Sequence, residues 1–122
     1  MTREILFRGK RVDKEEWVEG YYALWQMEHF IFPSSPMGRQ RKVMPETVGQ
    51  YTGRMTKDLT RVFEGDILLR SNGQKGKIIY NELYCFFDFV FLDKELNIPL
   101  YIVLSDSTVI GNIHDNPELL KS

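Results

Sequence analysis

The sequence predicts an all-β protein, a small barrel or sandwich of short antiparallel strands, and three observations carry that prediction. Eight Phe, six Tyr and two Trp stand in 122 residues, and aromatic side chains suit the half-buried pleated surface of a strand. Short apolar runs are parted by turn residues about every eight to twelve positions, the spacing of an all-β domain. Asn72-Gly73 between two apolar runs is a strong hairpin signal. The chain length fits one domain, residues 1–122, divided into an N-terminal hairpin with a basic loop (1–45) and a barrel-like part (46–122).

Taken in order, Arg3–Arg8 alternates, with Ile5 and Phe7 on one side and Glu4, Leu6 and Arg8 on the other, and predicts a strand. Gly9-Lys-Arg-Val-Asp-Lys14 reads as a polar connection. Glu16–Trp25 is an aromatic strand in which Gly20 marks a bulge or a close backbone approach. His29-Phe-Ile-Phe32 is a short strand. Pro33-Ser-Ser-Pro-Met-Gly-Arg-Gln-Arg-Lys42 is irregular and basic, the kind of loop in which function concentrates.

Val43–Tyr51 returns to a strand pattern with Pro45 at its edge, and Gly53–Arg61 is a polar connection. Gly65-Asp66 supplies a bend, Ile67–Arg70 a strand, Asn72-Gly73 a turn and Lys77–Tyr80 the returning strand. Cys85–Leu92, Leu100–Leu104 and Val109–Ile113 are three further strands. Asn116-Pro117-Glu-Leu-Leu then opens a short C-terminal helical turn, with Asn116 as N-cap and Pro117 at the first helical position.

Composition narrows the function classes. Apolar residues make up 43% of the chain, too many for a disordered segment. Sixteen basic against seventeen acidic residues leave a formal net charge of −1. That balance speaks against strong non-specific nucleic-acid binding, whose affinity comes from many Lys and Arg contacts to phosphate. One cysteine, Cys85, excludes an internal disulfide, and its apolar neighbours read as a buried strand. No apolar run approaches the roughly 20 residues of a membrane span. Met1-Thr-Arg-Glu-Ile is charged where a signal peptide would be apolar, so a soluble cytosolic protein is expected.

No constellation carries an evident chemistry. His29, His114 and Asp115 are metal-ligand types, but their spacing matches no motif and His114-Asp115-Asn116-Pro117 reads more simply as a turn. Cys85 with His114 and the pairs Glu64/Asp66 and Asp93/Glu95 lack catalytic spacing. No catalytic, cofactor-binding or metal residue is therefore assigned, and no enzymatic activity or cofactor is expected. Glu64-Gly-Asp-Ile67 with Gly73 and Gly76 is similar to the strand–turn–strand of SH3-like barrels that handle RNA, which makes the C-terminal half SH3-like. Trp17, Tyr21 and Trp25 share one parity of a strand while Tyr22 has the other, so one aromatic side is left to seek a partner. The candidate interaction surface is accordingly Arg39, Arg41, Lys42, Trp17, Tyr21 and Trp25.

Arg3-Glu-Ile-Leu-Phe-Arg8 followed by Trp17-Val-Glu-Gly-Tyr-Tyr22 resembles the opening of the YopX family of phage and prophage proteins. Thr47-Val-Gly-Gln-Tyr-Thr-Gly53, Val62-Phe-Glu-Gly-Asp-Ile67 and Val109-Ile-Gly-Asn-Ile-His-Asp-Asn-Pro-Glu-Leu-Leu120 resemble its remaining signatures, in the same order. Where family members often place an Asp-Lys-Asn-Gly type of turn, this chain has Thr56-Lys-Asp-Leu-Thr-Arg61. The resemblance implies a small phage-encoded β-rich protein that self-associates, and it carries over no catalytic residues. The expected function is non-enzymatic, acting through contacts with copies of itself or with a host or phage protein. The alternatives are a nucleic-acid-binding module using Arg39, Arg41 and Lys42 and, after it, a small metal-dependent enzyme.

Overall fold

The computed structural model describes residues 4–33 and 38–120. It is all-β, with eleven strands among the described residues arranged in antiparallel sheets and short 3-10 turns between them. The chain divides into two compact units, Met1–Tyr51 and Thr52–Ser122.

In the first unit β1 (Phe7–Lys10), β2 (Trp17–Trp25), β3 (Glu28–Pro33), β4 (Arg41–Lys42) and the start of β5 (Gly49–Met55) follow the order β4-β3-β2-β1-β5. The first strand starts later than its sequence pattern does: Ile5 is half exposed and Leu6 buried. Gly9 and Lys10, read as connection, belong to it. Gly9 is close-packed there, because a Cβ would lie 3.0 Å from the Val43 side chain. Ile31 and Val43 form the buried apolar side of the sheet. The strand expected over Val43–Tyr51 is interrupted: Pro45–Thr47 is a 3-10 turn, and pairing resumes only at Gly49. Thr47 fastens that turn, donating through Oγ1 to the Met44 carbonyl and accepting from the Lys10 amide at 2.8 Å.

The second unit holds the remainder of β5 beside β6 (Arg61–Phe63) and a five-stranded sheet. That sheet comprises β7 (Asp66–Arg70), β8 (Lys75–Asn81), β9 (Phe86–Phe91), β10 (Asn97–Pro99) and β11 (Ser107–Asn112), in the order β10-β9-β8-β7-β11. Alternation turns Leu68, Ile78, Phe89 and Phe91 to one face, where they pack with Val62, Leu100 and Val103. Gly76 serves this core rather than an approaching partner, since a Cβ there would meet the Phe89 ring at 2.5 Å. The order of the five-stranded sheet is open, whereas in the first unit the ends of the β4-β3-β2-β1 run meet: Arg11 bridges Val43, the Val12 amide donates to the Lys42 carbonyl at 3.0 Å and the Met44 amide to the Lys10 carbonyl at 2.9 Å.

Two local expectations are corrected here. Leu100–Leu104 is not a strand: Leu100–Ile102 and Leu104–Asp106 are 3-10 turns, and the strand lies just before them at β10. Leu100 and Val103 are buried while Tyr101 and Ile102 are exposed, the spacing of three that suits a 3-10 turn. Cys85 is neither buried nor in a strand. It is exposed, with φ 61°, in the turn between β8 and β9. Asn81 makes that turn, its Oδ1 accepting from the amides of Leu83 and Tyr84 at 3.0 and 3.2 Å. The expected C-terminal helical turn is present as a 3-10 turn over Pro117–Leu120, with Pro117 at its first position and the Asn116 carbonyl accepting from the Leu119 amide at 3.0 Å. The Asn116 Oδ1 accepts from the Asn112 amide at 3.2 Å.

Candidate functional site

The register of β2 against β3 decides which side chains share a face. Tyr21 lies opposite Phe32, Ala23 opposite Phe30 and Trp25 opposite Glu28, while Phe30 in turn lies opposite Lys42 of β4. Cross-strand partners point the same way, so Tyr21, Ala23, Trp25, Phe30, Phe32, Glu28 and Lys42 occupy one face. The other face carries Ile31 and Tyr22 and is the buried one. The first face is wet: Tyr21 is 61% exposed, Trp25 67% and Phe32 44%. Ala23, Leu24, Trp25, Phe30, Phe32 and Gln40 line a groove of about 290 Å³.

The candidates read from the sequence fall unevenly around this groove. Trp25 lines it, and Tyr21 lies one alternation further along the same face. Trp17 has the same parity but is half-buried. The Arg8 guanidinium lies 4.8 Å and the Lys10 ammonium 5.9 Å from its ring centre, a cation–π arrangement. Lys42 shares the face and pairs with Glu28 at 3.1 Å. Arg41 lies opposite Ile31 and so has the other parity; its guanidinium donates to the Arg39 carbonyl at 2.7 Å. Arg39 itself is exposed in the segment before β4. Of the predicted basic loop, Ser34, Ser35, Pro36 and Met37 lie outside the described residues. Sequence reading missed Phe30, Phe32, Ala23 and Gln40. The alternation of His29-Phe-Ile-Phe32 held the signal: with Ile31 inward, Phe30 and Phe32 must face out.

The other chemistry-bearing residues are occupied by structure. Asp66 is buried, and its carboxylate accepts from the Phe63 amide at 2.8 Å, stapling the Glu64-Gly65 bend. Gly65 at φ 93° donates to the Ile78 carbonyl, so the Val62-Phe-Glu-Gly-Asp-Ile67 segment is a turn with its own support. Asn112 Oδ1 accepts from the amides of His114 and Asp115, both at 2.9 Å. Gly111 admits the Asn116 side chain, whose Oδ1 would be 2.4 Å from any Cβ there. His29 Nδ1 bonds the Tyr22 hydroxyl, and the two rings stack with centres 5.8 Å apart.

The same kind of local tie shifts two ionisable groups. A hydrogen bond from the Thr56 hydroxyl holds the Asp58 carboxyl below its ordinary range. It does so in a turn closed by the Leu59 amide donating to the Thr56 carbonyl at 2.9 Å, at the place where the sequence departs from the family turn. Hydrogen bonding with the Cys85 thiol, then desolvation, pushes the Tyr80 phenol up. Asp88 is a buried carboxylate that the sequence did not single out. Its Oδ2 accepts from the amides of Asn81 at 2.9 Å and Asn97 at 2.5 Å, tying β8, β9 and β10 together. Among the described residues, no three His, Cys, Asp or Glu side chains gather as a metal site would require. No helix there is long and apolar enough to cross a membrane.

These features define an all-β protein whose glycine- and asparagine-containing segments are turn supports and whose β2–β3 face exposes aromatic side chains beside a groove. The chain belongs to the YopX family: the family model described as YopX protein matches residues 4–121. No curated protein matches. Protein EF1440 from Enterococcus faecalis, a crystal structure, is similar with a TM-score of 0.63 over 98% of this chain and 100% of that one, at 24% identity. A likeness at that identity shows the fold alone.

Proposed function

We propose that this chain is a phage- or prophage-encoded, non-enzymatic protein that self-associates and acts through protein contacts in the bacterial cytoplasm. The phage origin and the setting rest on family membership. The mode of action rests on the exposed face of β2 and β3, where Tyr21, Trp25 and Phe32 stand in solvent beside an apolar groove. Aromatic side chains with few free charges are the composition of an interface core, and contiguous exposed apolar surface marks an interaction site. The Glu28–Lys42 pair at the margin resembles the polar rim of such a surface. The aromatic anchors are Tyr21 and Trp25, with Trp17 at the far end of the strand and Lys42 on the rim.

Light scattering across micromolar to near-millimolar concentration tests this reading. The mass should rise above the 14.4 kDa of one chain, and Trp25→Asp should restore the single-chain value. A chain mass at every concentration would end the reading. The nucleic-acid alternative through Arg39, Arg41 and Lys42 has less support, because Lys42 is ion-paired and Arg41 is turned back onto its own backbone.

A further inference from the structure

The turn joining β2 to β3 consists of Gln26 at φ 50° and Met27 at φ 67°. A two-residue hairpin with both central residues at positive φ is built most easily from Asn-Gly, because L side chains other than Asn and Asp are disfavoured there. Elsewhere this chain gives the positive φ to a glycine, as in the Ser71-Asn72-Gly73 turn, where Gly73 takes φ 90°. At the β2–β3 tip it instead places a long thioether side chain that is 89% exposed. Strained backbone and a wet apolar side chain therefore coincide at one residue, and neither assists the hairpin. Departures of this kind concentrate where function offsets them.

We propose that Met27 of one copy inserts into the groove of a second copy lined by Ala23, Trp25, Phe30, Phe32 and Gln40, and that the second copy returns the same contact. The proposal rests on the self-association reading above and names its device. The groove, at about 290 Å³, is at the small end of ligand pockets and suits one flexible side chain. Methionine is unbranched, fills irregular gaps and contacts aromatic rings favourably.

Knob and hole lie on the same hairpin of one chain, so a single two-fold operation satisfies both, as an isologous interface requires. The charges agree with a second copy as occupant. Glu28 and Lys42 lie 3.1 Å apart beside the groove, so two such faces meet without net repulsion, and each carboxylate can pair with the other copy's ammonium.

The test uses the full chain carrying Cys85→Ser, which removes oxidative cross-links through the exposed thiol, and measures sedimentation or light scattering against concentration. Met27→Asp should weaken association at least tenfold. The double variant Gln26→Asn with Met27→Gly should weaken it equally while leaving the thermal midpoint unchanged or higher, because it relaxes the turn. That second variant separates a lost contact from a damaged fold. In the same background, mixing a Met27→Cys chain with a Gln40→Cys chain should give the mixed disulfide in preference to either like pair. If the parent chain associates and both Met27 variants associate as tightly, another occupant fills the groove and the tip-in-groove device is overturned while self-association stands. Preferential Met27→Cys like pairs would overturn it in the same way. A parent chain that stays single at all concentrations removes the self-association reading itself.

Discussion

Gly20 shows how one residue can be demanded by its neighbours rather than by its own conformation. It lies opposite Pro33, and a Cβ would fall 2.0 Å from the Phe32 carbonyl oxygen and 2.8 Å from the Pro33 Cα. Those atoms are backbone, so no rotamer change relieves the clash and only separation of β2 from β3 would. Gly20→Ala should therefore cost at least about 2 kcal/mol, in the upper range for overpacked sites. Urea unfolding measures this, and an unchanged midpoint would contradict it. The sequence already marks Gly20 as a bulge or close approach, and it is the close approach. Cys85 was not legible in the same way. Its neighbours Leu83, Tyr84 and Phe86 look like core, yet all are exposed, because Asn81 bends the chain before the apolar run can enter a strand. Local composition cannot distinguish an apolar turn from an apolar strand when the turn is set by a side chain several residues upstream.

At the scale of elements, β8, β9 and β10 are held at one place by a carboxylate. Asp88 lies opposite both Ile79 and Pro99, and one of its oxygens receives both the Asn81 and Asn97 amides. Its other oxygen, Oδ1, is buried without a hydrogen-bond partner. Asp88→Ala would strand two amides and should cost about 2 kcal/mol. Asp88→Asn keeps an acceptor for both amides but sets its own NH2 at the unpartnered position of Oδ1, so it should cost about 1 kcal/mol, less than Asp88→Ala. Thermal unfolding of the two variants decides the matter, and equal losses would mean that the charge matters rather than the acceptor.

The elements themselves were mostly legible. The strands around Trp17–Trp25, His29–Phe32, Ile67–Arg70, Lys77–Tyr80, Phe86–Phe91 and Val109–Asn112 follow from alternation and turn residues. Leu100–Leu104 was not, since a short apolar run has no period long enough to separate a strand from a 3-10 turn. The groove was half legible. Parity within β2 singled out Tyr21 and Trp25, but Phe30, Phe32 and Gln40 join them only through cross-strand register, which one strand's sequence does not specify.

For the whole molecule, net charge and the exposed apolar face lead to opposite salt responses, and these separate the two functional readings. Sixteen basic and seventeen acidic residues give −1 overall, and Lys42 already has a carboxylate partner. A nucleic-acid complex through Arg39, Arg41 and Lys42 would involve few phosphates. Its affinity would still fall as salt rises, with a logarithmic slope of about −0.9 for each phosphate neutralised on duplex DNA. Association through Trp25, Phe30, Phe32 and Met27 depends instead on removing apolar surface from water, which sulfate strengthens because it is excluded from the protein surface. The chain mass measured by light scattering should accordingly hold or rise when sodium chloride is replaced by sodium sulfate at equal ionic strength. Titrations against single- and double-stranded RNA and DNA at low salt should be flat. An assembly that dissolves in sulfate, or a titration that saturates at low salt and vanishes at high salt, would transfer the function from the aromatic face to Arg39, Arg41 and Lys42.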